Sequence, residues 1–391
     1  MQHIRYLILL LLALTSTVVR ATNPEDFRSD ALSVETLIND NYAYLERLPN
    51  GHYQLTERLR TEAGTVNDQR SLLAFLERAM MLLADHHAIT GKSFPNSWAV
   101  VPSYADLWVE CKTGSCIVTA VKDDSIAAKA GIGAGAQLVA VGDQPVAKAI
   151  ASFWADLGVE KFSDDQAGYA ARVLAAGRRD RLRSITTKDP RGKQQTYKLA
   201  NLYTLDNAAP PVTTSRKTGV FSLRINNSLG DDATIAAFDQ AMAQAKPEDR
   251  IVIDLTDTPS GGSTTIARAI MGWFVQSPHF YQMHRAPSEE RRTGIARQWV
   301  EQVLPRGSGK YHAGPITVRV GRWTGSMGEG LAIGLNAIGA KVEGDPMSGL
   351  LGSIEDISLP NSGLIFKLPT ERLMTVDGVP REDFRPAPPS D

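Results

Sequence analysis

Two segments in the C-terminal half combine residue types that nucleophilic chemistry needs. The first is Trp323-Thr324-Gly325-Ser326-Met327-Gly328-Glu329-Gly330, where a serine stands between an apolar, strand-like run and a helix-like one. A hydroxyl at a helix start has two uses. It can cap the helix, with Glu329 three residues on completing a capping box. It can also act as a nucleophile that gains from the helix dipole. The second segment is Asp254-Leu255-Thr256-Asp257-Thr258-Pro259-Ser260-Gly261-Gly262-Ser263, in which a buried-type strand runs through a glycine pair into a helix. Glycine lets main-chain N–H groups come close to a ligand, and N–H groups ahead of a helix suit an anion or oxyanion. The same residues also serve as a plain strand-to-helix connection.

A nucleophilic serine needs a base. The seven histidines are His3, His52, His86, His87, His279, His284 and His312. None follows Ser326, and Thr324 occupies the place of the first glycine of a G-x-S-x-G elbow, so the α/β-hydrolase order is excluded. His279 and His284 lack H-E-x-x-H spacing, and there is no P-loop or dinucleotide fingerprint. A formal net charge of -1 and scattered aromatics without a basic stripe leave no footprint for nucleic acid. Cys111 and Cys116 bracket Lys-Thr-Gly-Ser between apolar runs. Facing positions across a hairpin would bring their Cβ atoms within bridging distance, and the alternative is a pair of inert thiols. They have no neighbouring Cys or His pair to complete a metal site, and the serine chemistry calls for no metal or organic cofactor.

These residues must be positioned by larger elements. The 391 residues suggest two or three domains. Residues 1–21 read as a signal peptide: Arg5, an apolar run over 6–14, then Val19-Arg20-Ala21. The run is short for a membrane span, which needs about 20 residues. An exported, periplasmic or secreted protein follows, in a compartment that favours a disulfide. Residues 23–94 carry apolar side chains at helical spacing: Leu32, Val34, Leu37, Ile38, Tyr42 and Leu45, then Leu72, Leu73, Phe75, Leu76, Met80 and Leu83. Residues 101–203 read as strands at 107–109 and 117–119, a strand-turn-strand at 138–146, a helix near 165–176, and a closing hairpin from 183–187 and 196–199. Pro210-Pro211 marks a linker. The last block alternates strands (219–225, 251–255, 316–320, 364–368) with helices (232–245, 262–274, 326–338), an α/β layer pattern with parallel pairing. The chain ends in a polar, proline-rich tail.

With these segments in view, the last block resembles the tail-specific (C-terminal processing) protease and tricorn-core peptidase family. Members carry a strand ending in Asp-Leu-Arg-x-Asn-x-Gly-Gly and, downstream, a Thr-x-Ser-x-x-Glu nucleophile segment. Asp254-Leu255 through Gly261-Gly262 is similar to the first, with Thr256 and Thr258 in place of Arg and Asn. Thr324 through Glu329 is similar to the second. The middle block resembles the family's PDZ domain at 125–132 and 138–146. The first resembles its helical domain at Ile38-Asn39-Asp40-Asn41-Tyr42-Ala43-Tyr44-Leu45. The implied fold is multidomain α+β: a helical N-terminal domain (22–98), a PDZ-like β domain (99–206) and an α/β crotonase-like (ClpP-type) catalytic core (207–391).

The resemblance also implies roles. One branch of the family pairs the serine with a lysine in a Gly-Lys-Gly context. Here Ser348-Gly349-Leu350-Leu351-Gly352-Ser353 puts leucine there, and Lys341 and Lys367 lack that context. The tricorn-like branch takes its base from an Asp-x-His at the end of the helical domain, which maps onto Asp85-His86-His87 and names His87. A glutamate near the C-terminus maps loosely onto Glu382, with Asp383, Glu371 and Asp356 as competitors. The oxyanion hole would use the N–H of Met327 and that of Gly261 or Gly262. The implied activity is an exported serine endopeptidase cleaving peptides or unfolded protein tails through an acyl-enzyme on Ser326, with the PDZ domain holding the peptide by strand addition. The rival is a peptide-binding scaffold that kept the fold and lost the site, motivated by Thr256, Thr258 and the altered C-terminal motif.

Overall fold

Helix Pro24–Asn41 starts where local chemistry dictates, with Asn23 accepting from the N–H of Asp26 and proline at the first helical position. The structure is a computed structural model that describes residues 23–204, 209–259, 261–307 and 309–389. The signal-peptide reading of residues 1–21 therefore lies outside the described residues. Among these, no helix is long and apolar enough to cross a membrane.

Helices Pro24–Asn41, Glu57–Thr65 and Gln69–Met81 bury one face each, through residues such as Val34, Ile38, Leu59, Leu72 and Leu76. Leu32, part of the apolar periodicity, points outward at 50% exposure. The helices do not form a core alone. They pack on Leu351, Leu359, Leu364, Phe366 and Leu368 from near the C-terminus. The two-residue strand Ile89–Thr90 is added antiparallel to Ile365–Met374. The start and the end of the chain thus share one core.

The middle region is a six-stranded antiparallel sheet in the order Leu107–Lys112, Ser115–Val121, Gln137–Val141, Arg183–Lys188, Gln194–Leu199, with Gln144–Pro145 on Gln137–Val141. Cys111 and Cys116 are partners across the first hairpin and are joined by a disulfide. Val146, read from sequence as the end of a strand, instead opens helix Val146–Asp156. Val146, Ala149, Ile150, Phe153 and Trp154 are its buried residues, at helical spacing. Helix Asp164–Ala176 packs along the edge strand Leu107–Lys112.

Among the described residues the last region has a short two-stranded sheet and two larger ones. One runs Lys341–Gly344, Ile316–Val320, Arg250–Asp254, Val220–Ile225, Val212–Lys217, all parallel except the last pair. The other is antiparallel and contains Ile365–Met374, His279–Arg285, Gln298–Val303 and Ser353–Ser358. The helix/strand alternation did not reveal the strands at 279–285, 298–303 and 353–358. Arg250–Asp254 and Ile316–Val320 are neighbours, and each is prolonged by one half of the parallel pair Asp257–Thr258 and Trp323–Thr324. The chain segments that follow these strands therefore emerge side by side, at the carboxyl ends where open α/β sheets bind ligands.

Candidate active site

That junction brings Ser326 beside Gly261. A methyl group placed on Gly261 would stand 3.2 Å from Ser326 Oγ. Ser326 precedes helix Met327–Ala337 with φ 51° and ψ -114°, a conformation unusual for a side-chain-bearing residue. Such backbone costs on the order of 1–3 kcal/mol and persists only where the surroundings over-determine it. Here the N–H of Ser326 donates to Glu329 Oε2 at 2.8 Å, and the N–H of Gly325 to Thr258 O at 3.0 Å. Gly325 has no room for a Cβ, which would lie 2.7 Å from Pro259 O. The glutamate arm of the capping box thus forms, while the serine hydroxyl faces a histidine.

That histidine is His87, whose Nε2 lies 3.1 Å from Ser326 Oγ. Its Nδ1 is 2.6 Å from the carbonyl oxygen of Leu351. A carbonyl only accepts, so Nδ1 carries the proton and Nε2 is left as an acceptor for the serine O–H. The turn that carries His87 is tied by Asp85, which accepts from the His87 N–H and from the Tyr42 hydroxyl, each at 2.8 Å. Burial pushes the Asp85 carboxyl up to about 6 against those bonds. Burial, and then the Arg381 cation, push the His87 imidazole down to about 4, so it is neutral near pH 7. The pair is largely shut from solvent, Ser326 at 9% exposure and His87 at 5%. The start of the middle region packs across it: Ser103 donates to Pro259 O at 2.8 Å, and Trp323 donates to Ala105 O at 2.6 Å.

Glu382 sits in the turn Arg381–Asp383 and makes no hydrogen bond to His87; its Oε2 is buried without a partner. The imidazole contact expected of it is made by the Leu351 carbonyl, because the 349–352 segment occupies that side of the ring. The competitors are engaged elsewhere or exposed. Glu371 pairs with His284 at 2.8 Å, Asp356 pairs with Lys367, and Asp383 faces solvent. Leu350, at the position of the family's lysine, is buried with its side chain against Gly325. Gly262 is required by crowding, since a Cβ there would meet Leu229 O at 2.3 Å. Met327 is the first residue of its helix, so its N–H belongs to the unpaired set at the N-terminus. Among the described residues no group of three His, Cys, Asp or Glu side chains is placed to hold a metal ion.

Two side chains beyond the sequence assignment complete the site. Glu329 is fully buried and accepts from the N–H groups of Ser326, Gly349 and Leu350 at 2.8, 2.8 and 3.2 Å. Burial pushes its carboxyl up to about 7, opposed by Arg381 and those bonds. Arg381 is buried and bonds to the carbonyls of Ser326, Leu350 and Gly352. The capping-box spacing flagged Glu329, but nothing in the sequence around Arg381 distinguished it from any surface arginine.

No family model matches the chain, and no match was found among curated proteins. Solved structures do resemble it. The photosystem II D1 C-terminal processing protease superposes with a TM-score of 0.56 and 14% identity, over 93% of each chain. Mature CPAF complexed with lactacystin gives 0.55 and 14%, again over 93% of each chain. The protein therefore has the fold of the C-terminal processing proteases, in agreement with the resemblance read from its motifs. Identity this low establishes shared architecture; chemistry has to be judged from the site itself.

Proposed function

We propose that the protein is an exported serine endopeptidase of the tricorn-like, histidine-dependent kind, acting on peptides or unfolded protein tails. The observation that carries this reading is the Ser326–His87 pair, in hydrogen-bond reach and in the one tautomer that makes Nε2 a base. His87 Nε2 takes the Ser326 proton as Oγ attacks the scissile carbonyl, then returns it to the leaving amine. An acyl-enzyme forms on Oγ, and water, deprotonated by the same nitrogen, releases it. The tetrahedral oxyanion is received by the main-chain N–H groups of Met327 and of Gly261 or Gly262. Losing one such donor typically reduces kcat by about 10²–10³-fold. Glu382 stays outside hydrogen-bond contact with the base in this reading.

The middle region is read as a PDZ-type domain. A peptide tail would add to the edge strand Leu107–Lys112, in the place where helix Asp164–Ala176 now lies and Arg172 donates to Val109 O at 3.0 Å. Export is supported by the N-terminal sequence pattern and by the disulfide. A serine-reactive fluorophosphonate tests the reading. Wild type should be labelled and Ser326→Ala should not. Folded wild type that stays unlabelled and cuts no peptide would instead favour a peptide-binding scaffold, the reading motivated by Thr256 and Thr258.

A further inference from the structure

In a Ser-His-Asp triad a carboxylate holds the histidine tautomer. Here the holding atom is the Leu351 carbonyl, and a carbonyl on a connecting segment must itself be held. Arg381 is 2% exposed, and its guanidinium goes to main-chain oxygens. Nη2 donates to Leu350 O and, at 2.9 Å, to Gly352 O, while Nη1 reaches Ser326 O at 3.4 Å. The two gripped carbonyls are those immediately before and after Leu351. From the other side Glu329 takes the N–H groups of Gly349 and Leu350 together with that of Ser326. One cation and one carboxyl thus tie both the nucleophile's backbone and the segment that orients the base.

We propose that Arg381 is the positioning residue of the Ser326–His87 pair. It fixes residues 350–352 so that the Leu351 carbonyl keeps the proton on His87 Nδ1 and Nε2 aimed at Ser326 Oγ. This rests on reading those two residues as base and nucleophile. The planar fork suits the task, because it offers several N–H groups in fixed directions to carbonyls that diverge from one segment. Its charge also bears on the ring, making imidazolium less favourable. The ionisable groups that interact with Arg381 or with the Asp85 that ties the His87 turn include Tyr42 and Tyr44 from the helical region, Glu329 on the nucleophile helix and Glu382.

The test is the rate of fluorophosphonate labelling across pH, with thermal melting as the check on folding, for wild type, Arg381→Met and Arg381→Lys. Arg381→Met should label about 10²-fold more slowly, as expected for a misplaced reacting pair. Its acid limb should move to higher pH, because the Arg381 cation holds down both the Glu329 carboxyl and the His87 imidazole, and removing it raises both. Arg381→Lys keeps the charge and loses the fork, so labelling should slow while the limb stays in place. A wild-type rate and limb in folded Arg381→Met overturns the proposal. If that variant does not fold, a wild-type rate in Arg381→Lys overturns it equally. Nitrogen-15 NMR of the imidazoles separates this inference from the functional reading. Wild type that never labels removes the nucleophile. A His87 Nδ1–H signal that weakens or shifts to the other nitrogen in Arg381→Lys still supports the positioning role, and an unchanged one overturns it.

Discussion

His86 and His87 are adjacent in sequence, the first half-buried and the second buried, and face two different parts of the molecule. His86 turns toward the middle region, with Nδ1 2.5 Å from Val100 O, Nε2 accepting from Arg172 Nε at 2.9 Å, and its ring stacked on Tyr169. His87 turns toward the last region, with Nδ1 on Leu351 O and Nε2 at Ser326 Oγ. In each a main-chain carbonyl selects the same tautomer and burial lowers the pKa. Preparation of the ring is therefore not what separates them. The partner of Nε2 is. A guanidinium has no proton to surrender at working pH and leaves nothing nucleophilic behind, whereas a serine hydroxyl has both.

Removing the rings one at a time separates their roles most widely. His87→Ala should lower kcat by about 10⁶-fold, the scale on which loss of a catalytic histidine acts. Peptide turnover or fluorophosphonate inactivation measures it, and near-wild-type turnover would put the base elsewhere.

Next in size is the pH dependence set by Glu329. Its carboxyl is pushed up to about 7, so it is protonated below that pH and charged above it. A charged carboxylate is the better acceptor for the three N–H groups that shape the nucleophile turn. The kcat/KM profile should therefore rise through about pH 7, well above the His87 value of about 4. Glu329→Gln should lose that limb and be about 10–10²-fold slower at alkaline pH, the scale of lost hydrogen bonds to a charged group. A profile rising only near pH 4 in wild type would show that the Glu329 charge does not control the turn.

The smallest effect is expected at His86. His86→Leu leaves the half-buried Arg172 Nε without its acceptor, which should reduce stability by about 1–3 kcal/mol. Thermal melting reads this, and kcat should stay within about tenfold because no reacting atom is touched. A loss comparable to that of His87→Ala would show that the two rings act together.

Local sequence was enough to locate the strand, glycine-pair and helix segments, the serine at a helix start, and the alternation that aligns them. Those features depend on the periodicity of burial and on turn chemistry, which act over a few residues. His87 was legible only through resemblance, since Asp85-His86-His87 offers two histidines with nothing in spacing to choose between them. The helix Val146–Asp156 was missed because its start reads equally as strand. What tertiary structure alone decided is the identity of each polar partner. Leu351 lies 264 positions from the histidine it orients. Glu382, expected beside the ring, gives way to a main-chain oxygen. Arg381, unremarkable in a tail of mixed charge, becomes a buried clamp. A carbonyl is the same in every residue, so its use as a hydrogen-bond acceptor leaves no mark in the sequence. Only the packing of the first helices on the last strands brings that oxygen to the ring.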